Sequence, residues 1–347
     1  MPFRNLTGAP GRSLPQKFDR RKFLFSYAPD WLLTIVLAAA FLFLDSIDGF
    51  KREFSVSDSS YGLTLFPSYA IHERVPDALL YAIAFLAPLL LMWLINFATI
   101  RVWWDSHNSA LGLVLSLSLA GAFTQAIKVT VGRPRPDLLD RCNPDSGVVD
   151  PPYGLSSVAI CHQSDRHIIN DGFRSFPSGH SSLSFAGLTF LSLYIAGKLH
   201  LFDTRGHAPK AWIAGLPLFG AALIAVTRTM DNRHHWHDVI AGSFLGIVTA
   251  YFAYRQYFPS LESEFAHLPY GPRTQHLEGT HGRPAPGLPY YQRSRGSESG
   301  DADVELLHDT VRRDEPHRAE AWERASSLEG GPHSVEDSIL PISRPLS

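Results

Sequence analysis

Charge is scarce in this chain: Asp, Glu, Lys and Arg make up 18% of its 347 residues, against roughly 25% in an ordinary soluble domain. The charge is also balanced, 31 basic against 33 acidic residues. No basic stripe with interleaved aromatics occurs, so no nucleic-acid partner is expected. Cysteine is nearly missing: two residues cannot build a disulfide scaffold or a four-cysteine zinc centre, although they allow one disulfide. No internal repeat is visible. Length alone predicts about two domains at roughly 150 residues each. However, the 45% of hydrophobic residues fall in long runs between polar ends, which favours one membrane-embedded unit. The mean hydropathy of -0.03 averages over the two.

The apolar runs lie at 31–47, 78–100, 109–127, 182–197, 211–226 and 239–257. Most approach the length needed to cross a hydrocarbon core as a helix. The fourth and fifth are short enough to be buried helices of a soluble core instead. The first thirty residues are too polar for a signal peptide and carry Arg4, Arg12, Lys17, Arg20, Arg21 and Lys22, while Lys198, Arg205 and Lys210 follow the fourth run. Cations mark the cytoplasmic side. The reading is an all-α, six-transmembrane-helix bundle over 31–258, a cytoplasmic N-terminal segment over 1–30 and a disordered cytoplasmic tail over 259–347. Asp314 could cap a short helix at 316–328. An Asn5-Leu6-Thr7 glycosylation pattern is expected to stay unused on the cytoplasmic side. The loops at 48–77, 128–181 and 227–238 then lie on the opposite face.

Three segments at span ends carry candidate chemistry. Lys128 and Arg135 flank the end of the third span, where Gly132, Pro134 and Pro136 break the helix and leave two cations at the interface. They could equally be snorkelling flanks. Pro177-Ser178-Gly179-His180 precedes the fourth span. Ser178 is a capping residue there, Gly179 permits close backbone approach, and His180 offers a titratable proton at a helix N-terminus suited to anions. Thr227-Arg228, then His234 and Asp238, join the last two spans. On a helix His234 and Asp238 would share a face, letting the carboxylate hold one imidazole nitrogen while the other is free to attack.

Together these segments resemble the lipid phosphate phosphatase family, the type 2 phosphatidate phosphatases, with their signatures Lys-x6-Arg-Pro, Pro-Ser-Gly-His and Ser-Arg-x5-His-x3-Asp. Thr227 replaces the serine and keeps its hydroxyl. Arg135-Pro136-Asp137, Asp140-Arg141-Cys142, Asp171-Gly172-Phe173-Arg174 and Arg233-His234-His235 resemble the fungal diacylglycerol pyrophosphate phosphatase branch. The resemblance covers about residues 30 to 258 and implies a haloperoxidase-like helical fold. It also implies a multi-pass protein of an endomembrane such as vacuole, Golgi or endoplasmic reticulum, or of the plasma membrane, with a lumenal or extracytoplasmic site. By the same resemblance Lys128, Arg135 and Arg228 hold a lipid phosphate with help from Ser178 and Gly179, His234 attacks phosphorus, Asp238 supports it, and His180 serves the leaving group. No metal or cofactor is implied, and no protein partner is indicated.

Two other readings compete. His234, His235 and His237 beside Asp238, with His162 and His167, could ligate a metal, although the nearby cations would repel it. A carrier or receptor for phosphorylated lipids could use the same anion-binding residues, yet its ionisable groups would be expected near the midplane. Within the spans the main polar residues are Asn96, Thr124 and Gln125. Finally, Cys142 and Cys161 share the loop before the fourth span. A disulfide is chemically allowed if that loop faces an oxidising compartment, and two unpaired thiols are the alternative.

Overall fold

The computed structural model describes residues 20–56, 68–203 and 206–271, with side chains from 25 onward. The glycosylation pattern at Asn5, the tail beyond 271 and the 316–328 helix lie outside the described residues.

The described chain is all-helical, its only β pairing being a bridge between Phe54 and Ser156. Its helices are α1 (Arg20–Ser46), α2 (Asp77–Ala98, with a π-helical stretch at Ala82–Leu86), α3 (Trp103–Val131), α4 (Leu138–Cys142), α5 (Arg166–Gly172), α6 (Gly179–Lys198), α7 (Ala208–Met230) and α8 (Trp236–Tyr257). Four helices, within α1 and at α2, α3 and α7, are long and apolar enough to cross a membrane. Their outward residues include Leu32, Ile35, Leu94, Phe97, Trp212, Phe219 and Leu223, all exposed. That is the surface a lipid-facing helix presents and a soluble core would hide.

The expected fourth and sixth runs are α6 and α8, which fall outside those four candidates, and packing explains why. α6 sits at the centre, buried along most of its length by α3, α7 and α8, so it can carry serines that lipid would not tolerate. Thr124 donates to Ser182 Oγ at 2.8 Å and Ser116 to the Ala186 carbonyl at 3.1 Å. Gly242 and Gly246 stand one turn apart on α8. A Cβ at either would lie 2.5 Å from the Ser178 carbonyl or 2.4 Å from that of Ser182, so only glycine lets these helices approach.

Two boundaries differ from the sequence reading. α1 begins at Arg20, inside the segment read as a separate N-terminal piece. The chain after Pro259 also continues as ordered packing. Ala266 and Leu268 are buried, Tyr270 N donates to the Tyr257 carbonyl, and Trp104 Nε1 and Lys198 Nζ donate to the carbonyls of Tyr270 and His267. A segment too short for any apolar period docks here by single side chains and backbone bonds.

The 128–181 connection builds a small core of its own from Phe54, Leu138, Cys142, Ile169 and Phe173. Cys142 and Cys161 are joined in a disulfide across a sequence separation of 19.

Candidate active site

α3 ends where Gly132 takes a left-handed φ of 58°, which turns the chain so that Lys128 and Arg135 both face one cavity. α6 begins beside them, because Ser178 accepts from the Ser181 amide and caps it. α7 brings Arg228 at its last turn, and a turn through Asn232, with φ 54°, delivers His234. Lys128, Arg135, Gly179, His180, Arg228 and His234 line a single cavity of about 510 Å³.

Five of these side chains are buried or nearly so, and they do not stand alone. Arg135 Nη2 pairs with Asp171 Oδ1 at 2.6 Å, and the other Asp171 oxygen takes Arg141 at 2.8 Å and Arg233 at 3.2 Å. Burial alone would raise the Asp171 pKa, but the guanidinium groups of Arg135 and Arg141, with Lys128 and Arg233, hold it well below the usual carboxylate range. Arg228 pairs with Glu73 at 2.7 Å and with Asp231 at 3.1 Å, and Arg233 reaches the second Glu73 oxygen at 2.8 Å. Arg74 in turn pairs with Asp231. The rings of charge are braced by Tyr69, whose face lies 4.3 Å from Arg141 and 4.8 Å from Arg233. Lys128 is the one site cation without a paired carboxylate among the described residues. Its Nζ would stand 3.2 Å from a Cβ at position 179, so Gly179 is what lets the ammonium reach the helix N-terminus. Donors are left over as well. The Nε groups of Arg135, Arg141 and Arg233 are buried without a hydrogen-bond partner among the described residues. A cavity lined by Lys128, Arg135 and Arg228, with Lys128 free of any carboxylate among the described residues, is suited to an anion.

His234 is buried, and its Nδ1 lies 2.6 Å from the Ser175 carbonyl. A carbonyl only accepts, so Nδ1 carries the proton and Nε2 keeps its lone pair. Burial first, then the charges of Arg135 and Lys128, push the His234 pKa well below the ordinary imidazole value, which keeps the ring neutral. His180 Nε2 faces the Val75 carbonyl at 2.9 Å.

Two expected placements differ. His234 precedes α8, whose N-cap is His235, so the four-residue spacing to Asp238 is not a helical one and no hydrogen bond between the two is formed. Asp238 instead accepts from Ser175 Oγ at 2.6 Å and from His235 N at 3.0 Å, and pairs with Arg133 at 2.9 Å. It reaches the His234 imidazole through Ser175, whose carbonyl holds the ring, and the His234 backbone through the adjoining His235 amide. Ser178 caps as expected but is fully buried, receives Ser181 Oγ at 3.0 Å, and is not among the cavity-lining residues. Sequence reasoning missed Glu73, Asp231, Ser175 and Arg133, and gave Asp171 and Arg233 no role. Two groups could hold a cation by proximity: His235, His237 and Asp238, and Glu73, Asp77 and His180, with ligand atoms within 4.8 Å of one another. In each, a carboxylate is already taken by arginine. His162 pairs instead with Asp145 at 3.3 Å.

Residues 109–262 match the model of the PAP2 superfamily. The chain is 39% identical over 234 residues to lipid phosphate phosphatase 2 of Arabidopsis thaliana, covering 66% of this chain and 77% of that protein. The chain belongs to the PAP2 superfamily of lipid phosphate phosphatases. It is therefore a multi-pass membrane phosphatase, a phosphoric monoester hydrolase. It is also 39% identical over 227 residues to diacylglycerol pyrophosphate phosphatase 1 of Saccharomyces cerevisiae, with 64% of this chain and 75% of that protein covered. To the probable diacylglycerol pyrophosphate phosphatase 1 of Schizosaccharomyces pombe it is 36% identical over 256 residues, with 72% and 88% covered. Plant and fungal relatives thus stand at similar identity. No solved structure matches.

Proposed function

We propose that this enzyme removes phosphate from lipid phosphomonoesters or lipid pyrophosphates such as phosphatidate, lysophosphatidate and diacylglycerol pyrophosphate, through a phosphohistidine and without a metal. The observation that carries the reading is the convergence of three distant segments, ending in Lys128 and Arg135, Gly179 and His180, and Arg228 and His234, on one cavity. Lys128, Arg135 and Arg228 take the phosphate oxygens, and the N-terminus of α6 adds backbone donors. His234 Nε2 attacks phosphorus while its Nδ1–H stays on the Ser175 carbonyl. The bond from phosphorus to the lipid oxygen breaks, and the leaving oxygen takes a proton from His180. Burial and Arg228 keep His180 neutral in the empty site, and it enters this step as the imidazolium paired with the bound phosphate. Water then attacks the phosphohistidine, His180 removes its proton, and inorganic phosphate leaves. Asp238 is a positioning residue, acting through Ser175.

α6 has 20 residues, about 30 Å of helix and enough for a span. We therefore read α6 and α8 as the interior pair of a six-span bundle whose site faces the lumen or exterior, where a disulfide persists. Phosphate release from micellar lipid phosphates should survive EDTA, because fixed cations neutralise the substrate. Restoration of a chelated, inactive enzyme by zinc or magnesium would defeat this. In His234→Ala, turnover should fall by at least about a thousandfold, and the acid-labile phosphoenzyme trapped from wild type should be missing.

A further inference from the structure

Glu73 does not belong to any of the three signature segments, yet it stands inside the site they form. One carboxylate oxygen lies 2.7 Å from Arg228 Nη1 and 3.6 Å from His180 Nε2, and the other lies 2.8 Å from Arg233 Nη2. These are positions that a phosphate bound to Arg228 within reach of His180 would need for its own oxygens.

We propose that Glu73 is the resident anion of the empty phosphate site, which substrate must displace, and that it thereby restricts the site to dianionic phosphate groups. This rests on the phosphatase reading above. The exchange is local, because the backbone that follows Glu73 is fixed. Arg74 N donates to Asp231 Oδ2 at 3.0 Å, and the Val75 carbonyl holds His180. The side chain itself is 22% exposed and lines the cavity.

A phosphomonoester near neutral pH brings close to two negative charges and three terminal oxygens, so it gains more from Arg228 and Lys128 than a single carboxylate does. A phosphodiester brings one charge and two terminal oxygens. It offers the cations no more than Glu73 already supplies, and pays in addition for moving it. Bulk membrane phospholipids are diesters in large excess over any phosphomonoester. A site that meets headgroups at the membrane surface needs such a barrier to stay unoccupied.

The test is equilibrium binding of inorganic phosphate to the full chain in nonionic detergent, with phosphatidylglycerol in the micelle as the diester competitor. Glu73→Gln should bind phosphate about tenfold more tightly than wild type, since a like charge has left the site. In that variant phosphatidylglycerol should displace phosphate, whereas in wild type it should not. Glu73→Asp, which keeps the charge, should still exclude the diester. Unchanged or weaker phosphate binding in a folded Glu73→Gln would overturn the proposal and make Glu73 a brace for Arg228. Equal competition by the diester in both proteins would overturn it too. Binding is read without turnover, so failure to hydrolyse lipid phosphates would remove the functional reading while this measurement still reports on Glu73.

Discussion

Arginines in this site are shared between carboxylates in series. Arg135 is held by Asp171, Asp171 also holds Arg233, Arg233 reaches Glu73, and Glu73 holds Arg228. Such a chain fixes guanidinium groups that would otherwise repel one another, so that phosphate meets cations already in place. Asp171 is the most connected member. Its replacement by Asn should cost on the order of 3 kcal/mol of stability, the scale for breaking a largely buried pair, and roughly tenfold to a hundredfold in kcat/KM as Arg135 loses its position. The pH dependence follows from its depressed pKa. The stabilisation is complete above the unfolded carboxyl value of about 3.9 and is lost only as pH falls from there toward the folded value. The melting-temperature gap between wild type and Asp171→Asn should therefore be the same at about pH 5 and pH 7. A gap that closes over this interval would mean that Asp171 is not held ionised by its arginines.

Elements built from local signals were legible in the sequence, and elements defined by their neighbours were not. Charge-poor runs located α1, α2 and α7, which present apolar side chains outward, and α3, which is long and apolar although mostly buried. α6 and α8 were located as runs too, but their polarity follows from burial between other helices, which no window of sequence reports. The start of α8 was misplaced for a similar reason. His235 is not a common N-cap residue, and its cap is completed by Asp238. Glu73 lay beyond reach, because its partner Arg228 is 155 residues away. The disulfide ties these scales together. It anchors α4 next to Arg141, which pairs with Asp137 at 2.9 Å and with Asp171. Replacing both cysteines by serine should lower stability by about 3 kcal/mol in the chain-entropy model. It should also raise KM for lipid phosphate, because Asp171 and hence Arg135 lose their support. An unchanged melting temperature and KM would show that the small core around Phe54 and Phe173 holds α4 without the bridge.

At the scale of the molecule, helix direction separates the site from the tail. α3 runs from Trp103 to Lys128 and its end at the cavity. α6 runs away from the cavity, from Gly179 to Lys198, and α8 does the same, from Trp236 to Tyr257. Lys198 and Trp104, at the far ends, bind the carbonyls of His267 and Tyr270, so the chain leaves the bundle opposite the cavity. No apolar run after Tyr257 is long enough to cross back. In the six-span arrangement proposed above, the cavity and residue 271 open on opposite sides of the bilayer. In that proposal the cation-rich N-terminal segment puts the cytosol on the side of the tail. In sealed microsomes trypsin added outside should cut at Arg273, while the disulfide-tethered stretch around Arg166 should be cut only after detergent is added. Protection of Arg273 with cleavage near Arg166 would invert the orientation. Cleavage of both from one side, without detergent, would show that α3, α6 and α8 do not cross the membrane at all.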